Sequence, residues 1–172
     1  TFANNLILFS LFIEHISLFS QFLIMLSFSK HRNLLKWISN VTEATSKEED
    51  LHWKFGIELV GILKKEYPEQ FTQESIDEVI RLADKALLAE EKVIDWILET
   101  WELEFLPRDV IVTFIKDRFN KAFKALGIDR KYPLDKKLLE QTEWFDDEMN
   151  TTKHTDFFYK RPTNYNKKSK SI

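Results

Sequence analysis

From Phe2 to Phe28 the chain is an almost unbroken apolar run, and whatever it folds into must accommodate that run. It is long enough to span a bilayer as a helix. It also carries Asn4, Asn5, Glu14, His15 and Gln21, and polar groups at its centre are expensive in lipid. No basic segment precedes it and no small-residue cleavage site follows, which argues against a secretory signal. The mixture suits a helix buried inside a protein better than a membrane span. Position 1 is Thr rather than Met and the run begins at once, so the chain reads as a fragment. Three glycines and four prolines in 172 residues leave few turns. The elements are therefore long, and the fold class is all-α.

Four helical segments are expected. The first covers about 4–29, apolar on nearly every face, as for a helix buried all round. Lys30, His31 and Arg32 make a polar break. The second runs from about Asn33 to Tyr67 and is closed by Pro68, which cannot continue a helix. Its Ser- and Thr-rich stretch 39–48 leaves room for an interruption. The third starts at Thr72, a capping residue, and ends near Trp101, with Ile76, Val79, Ile80, Ala83, Leu87, Val93, Ile94 and Ile97 at helical spacing. The fourth lies between Pro107 and Gly127, a proline at the start and a glycine at the end. After Gly127 the periodicity fades into an extended tail. Its last stretch carries Lys160, Arg161, Lys167, Lys168 and Lys170 with no acid, which fits a solvated end or a segment that orders on a partner.

Lys+Arg 25 against Asp+Glu 28 gives −3, too balanced for nucleic acid as the partner. The absence of cysteine excludes disulfides, thiolate metal sites and a cysteine nucleophile in this chain. No Gly-rich phosphate loop or G-x-S-x-G elbow is present.

One constellation carries chemistry. Glu49 and His52 form Glu-x-x-His, a pair that shares one helical face and can bind one iron, manganese or zinc ion. Alone the motif also fits an exposed pair on a helix surface. Glu14 changes its weight. A carboxylate amid Phe9, Phe12, Leu18 and Phe22 is costly to keep ionised unless it is paired or metal-bound. A helix bringing one Glu beside a helix bringing Glu-x-x-His is half of the four-helix dimetal-carboxylate arrangement. Metal ligation is therefore expected at Glu14, Glu49 and His52. His15 reads as a packing or outer residue, and His31 and His154 have no partners at ligand spacing. Glu48 is either an outer hydrogen-bonding group or a solvated acid. Glu90 and Glu91 read as surface acids.

The stretches IEHISLFSQFLIMLSFSKH and SNVTEATSKEEDLHWKFGIEL resemble the small (beta) subunit of class I ribonucleotide reductase. The tail PLDKKLLEQTEWFDDEMNTTKHTDFFYKRPTNY resembles the branch of that family found in bacteria and phages. Three separated motifs in order cover nearly the whole chain. The resemblance implies a ferritin-like bundle of which residues 1–128 are the C-terminal half, with 129–172 a tail for the large (alpha) subunit. It implies that Glu14, Glu49 and His52 match the ligands of one metal of a dinuclear iron or manganese centre. Zinc would fit these ligands but cannot do redox chemistry. Leu18 and Phe22 match hydrophobic-pocket positions. Glu48 matches an acid in long-range electron and proton transfer. A tail tyrosine, Tyr165 or its rival Tyr159, matches the relay to the large subunit.

The implied activity is ribonucleoside-diphosphate reductase, in which the small subunit generates or holds the oxidant that starts reduction to deoxyribonucleotides. The implied partners are the large subunit and a second beta subunit, in the cytoplasm, with no nucleic acid and no membrane. The family's other ligands and its metal-proximal tyrosine lie upstream of the matched region. Tyr67, 15 residues past His52, is about 22 Å along a helix and does not replace that tyrosine. As given, the chain supplies one half-site. A non-catalytic truncated interaction partner and another dimetal-carboxylate oxidase or ferritin are the alternatives, and the segment 144–165 speaks against the second.

Overall fold

In the computed structural model, which describes residues 2–100 and 102–150, the apolar run folds as a single helix, α1, over Phe2–Arg32. Inside it, Leu8–Ser17 is wound as a π-helix between α-helical Phe2–Ile7 and Leu18–Arg32. The other elements are α2 (Lys36–Glu66), a 3₁₀ turn at Pro68–Gln70, α3 (Gln73–Leu98), α4 (Arg108–Leu126), and the short α5 (Lys136–Glu140) and α6 (Glu143–Asn150). No strand occurs among the described residues. α1 lies at the centre and packs against α2, α3 and α4.

Local chemistry sets the ends. α1 closes on Asn33 in the left-handed region (φ 56°), with Leu34 N–H donating to Phe28 O at 3.1 Å and Asn33 N–H to Ser29 O at 3.2 Å. Asparagine tolerates this left-handed conformation in place of glycine. Lys30, His31 and Arg32 thus sit in the last turn of α1, where the Lys30 and Arg32 charges complement the negative end of the helix dipole, and the break falls just beyond them. Thr72 caps α3 by accepting from Ser75 N–H at 3.2 Å. Gly127, at φ 71°, ends α4.

The polar stretch 39–48 does not interrupt α2. Thr42 and Ser46 are buried, and the Ser46 hydroxyl donates to Glu43 O at 2.9 Å, so small satisfied side chains continue the helix. Closer contact follows one turn past His52. A Cβ on Gly56 would stand 2.6 Å from Ser10 Cβ, so only glycine lets α2 approach α1 there.

Two expectations change in detail. α1 is not buried all round, because Phe2, Phe9 and Ile13 are exposed along one side. Residues 129–150 are not extended throughout. Asn120 fixes the Tyr132 backbone by two hydrogen bonds (2.7 and 3.0 Å), Asp135 caps α5, and Phe145 of α6 is fully buried. Helices of five and eight residues are too short to print a period in the sequence.

Candidate metal centre

Glu49 and His52 lie one turn apart on α2, with His52 Nδ1 3.2 Å from Glu49 Oε2. Glu14 comes from the π-helical segment of α1. Donor atoms of Glu14, Glu49 and His52 all lie within 4.8 Å of one another. Metal–ligand bonds of about 2.0–2.2 Å place donors up to about 4.4 Å apart, so the three groups stand close to the spacing one ion demands. Two carboxylates and one imidazole suit iron, manganese or zinc.

The electrostatics agree with that donor set. Burial raises the Glu14 carboxyl above its ordinary value, Glu49 adds like-charge repulsion, and His52 opposes both. Among the described residues neither Glu14 nor Glu49 is paired with a lysine or arginine. No described lysine or arginine therefore offsets the convergence of acids, which a cation would relieve. The two carboxylates are half-buried, while the His52 side chain is 57% exposed and gives the cluster an open side.

The other expected residues divide. Leu18, the first residue past the π segment, is half-buried, and Phe22 is buried with its ring edge-on to Phe19 at 5.7 Å. Glu48 is exposed on α2 beside the pair. Tyr165, Tyr159 and His154 lie outside the described residues. His15 is buried and stacks on Trp53 at 4.1 Å, so the neighbours of Glu14 and His52 join their two helices. Burial, with Arg118 and Lys121 nearby, pushes the His15 imidazole well below its ordinary range and keeps it neutral.

Glu90 is the residue misplaced by sequence reasoning. It is 8% exposed, not a surface acid, and it accepts hydrogen bonds from the hydroxyls of Ser17 and Ser20 on α1. The signal was present in the pattern Ala83, Leu87, Glu90, Ile94, which puts Glu90 on the buried stripe of α3.

The family described as ribonucleotide reductase, small chain, matches residues 1–153. The chain is similar to a probable ribonucleoside-diphosphate reductase small subunit of Invertebrate iridescent virus 3. The two are 29% identical over 168 residues, covering 97% of this chain and 44% of the viral protein. It is also similar to a ribonucleoside-diphosphate reductase subunit beta of Chlamydia pneumoniae, at 25% identity over 171 residues, covering 95% of this chain and 46% of that one. The chain thus spans less than half the length of these relatives.

Proposed function

The chain belongs to the ribonucleotide reductase small-chain family, and from that premise we propose that it contributes one half-site of a dinuclear iron or manganese centre. Glu14, Glu49 and His52 hold one ion. The observation that carries the reading is the convergence of Glu14, from a different helix, on the Glu-x-x-His pair within 4.8 Å. When bound, iron or manganese supplies the one-electron chemistry that zinc lacks.

The chain's own groups then have separable tasks. The two carboxylates neutralise the ion's charge and His52 contributes the nitrogen donor. Leu18 and Phe22 keep water from the Glu14 side. Glu48 holds or passes a proton at the rim of the site as part of a long-range electron and proton transfer, and Tyr165, with Tyr159 as the rival, passes the oxidising equivalent on. The tail, 129–172, serves the large subunit, and residues 1–128 belong to a ferritin-like domain that pairs with a second beta subunit. In this reading the activity is reduction of ribonucleoside diphosphates to deoxyribonucleotides in the cytoplasm. It requires more chain than is present here, because the open side at His52 and the exposed Phe9 and Ile13 call for a cover.

The test is a Mn(II) titration of the chain followed by the EPR signal of the free ion. Saturable binding of one ion is expected, with affinity lowered at least about tenfold by His52→Ala. Binding indifferent to both His52→Ala and Glu14→Gln would refute the assignment.

A further inference from the structure

A π-helical run of ten residues is unusual, since i→i+5 bonding commonly survives for a single turn inside an α-helix. Something outside α1 must hold it, and α3 grips α1 on both sides of the run. Before it, the Ser75 hydroxyl donates to Asn4 Oδ1 at 2.6 Å. At its end, the Ser17 hydroxyl donates to Glu90 Oε1, and the Ser20 hydroxyl reaches Glu90 Oε2 at 3.2 Å and Ser17 O at 2.8 Å.

The phase of the helix links these grips to the winding. Asn4 and Ser17 are 13 residues apart. In an uninterrupted α-helix that is roughly 3.6 turns, which would turn the two side chains to nearly opposite sides. Turns closed by i→i+5 bonds take up more residues, and the same stretch then makes about three whole turns. Both side chains can face α3 only because the segment between them is π-wound. The last i→i+5 bond, Leu18 N–H to Ile13 O, spans Glu14 itself.

We propose that Glu90 is a positioning residue: by holding Ser17 and Ser20 it keeps the π register of α1 and so aims Glu14 at Glu49 and His52. The role rests on reading Glu14 as a metal ligand. Glu90 touches neither the ion's donors nor their α2 helix in any hydrogen bond, and acts only through α1. Without it, Ser17 has no reason to face α3, and relaxation to the α register rotates Glu14 by a fraction of a turn.

The test reads the register directly. Through-hydrogen-bond N–C′ couplings in the isotope-labelled, metal-free chain distinguish an i→i+5 from an i→i+4 partner for Leu18 N–H. The expected result is an Ile13 partner in the unaltered chain and in Glu90→Gln, whose amide can accept from the Ser17 hydroxyl and donate to that of Ser20, which already donates to Ser17 O. In Glu90→Leu the partner shifts to Glu14 O. The Ser17→Ala/Ser20→Ala double variant, which leaves α3 intact, makes the same shift and decides the matter if Glu90→Leu does not fold. An Ile13 partner retained in Glu90→Leu and in the Ser17→Ala/Ser20→Ala variant, or absent from the unaltered chain, overturns the proposal. A parallel Mn(II) titration is expected to show about tenfold weaker binding in the register-shifted variants. A register shift with unchanged Mn(II) affinity overturns the link to Glu14. A chain that shifts register as stated yet binds no Mn(II) in any form defeats the metal assignment and leaves the structural role of Glu90 standing.

Discussion

Arg118 in α4 and Glu14 in α1 are both charged groups withdrawn from water, and the fold treats them in opposite ways. Arg118 is 5% exposed. Its guanidinium bonds Asp146 of α6, and the rings of Phe19, Phe114 and Phe145 surround it at 4.8–5.5 Å. Burial lowers its pKa, while Asp146, Asp117 and Asp50 pull the other way, and it stays charged. Glu14 has the reverse neighbourhood: another carboxylate, a partly exposed imidazole and no cationic side chain. A charge paired with an acid and ringed by aromatic faces is architecture. A charge set beside a like charge, in a cluster with an open face, is a place where the protein leaves its compensation to a ligand.

Removing the compensation at Arg118 has the largest expected effect. Asp146→Ala strands a buried guanidinium and costs about 3 kcal/mol, the low end for breaking a buried pair because Asp146 is itself partly exposed. Chemical denaturation measures this, and an unchanged midpoint would mean that Asp117, Asp50 and the rings hold Arg118 without Asp146.

Gly56→Ala addresses the other region. Its methyl group would meet Ser10 and push α2 from α1, with an expected loss of roughly 1–3 kcal/mol and weaker Mn(II) binding. Ser10→Gly in the same chain should restore much of both. If the double variant recovers stability but not binding, the helix spacing matters to the site in its own right.

Glu14→Gln produces the smallest change, and the opposite sign. A carboxyl whose pKa is raised by folding favours the fold below its unfolded value, and that contribution is lost as pH rises through the folded value. In the metal-free chain at neutral pH, Glu14→Gln should therefore raise Tm slightly. The gap should narrow as pH falls toward the ordinary carboxylate range, while Mn(II) binding is lost throughout. A lower Tm at neutral pH would show that the ionised Glu14 has a favourable partner after all.

Much of this was legible along the chain. Thr72, Pro107 and Gly127 mark helix ends through backbone geometry that is local, and the structure puts ends at Gln73, Arg108 and Leu126 accordingly. Glu49 and His52 share a face because any helix brings i and i+3 together. Glu14 drew notice as the acid in an apolar run. Glu90 did not, because a mixed-charge helix surface and a buried acid differ only in what another helix brings opposite them, here Ser17 and Ser20.

The sequence by itself determined the four long helices, most of their ends and the Glu-x-x-His pair, since each depends on residues within a few positions of one another. Only the tertiary structure decided the π winding of 8–17, the approach of Ser10 to Gly56, the docking of Phe145 and the meeting of Glu14 with Glu49 and His52. Each of these depends on groups far apart in the chain, and no period or cap records which distant side chain will fill a given gap.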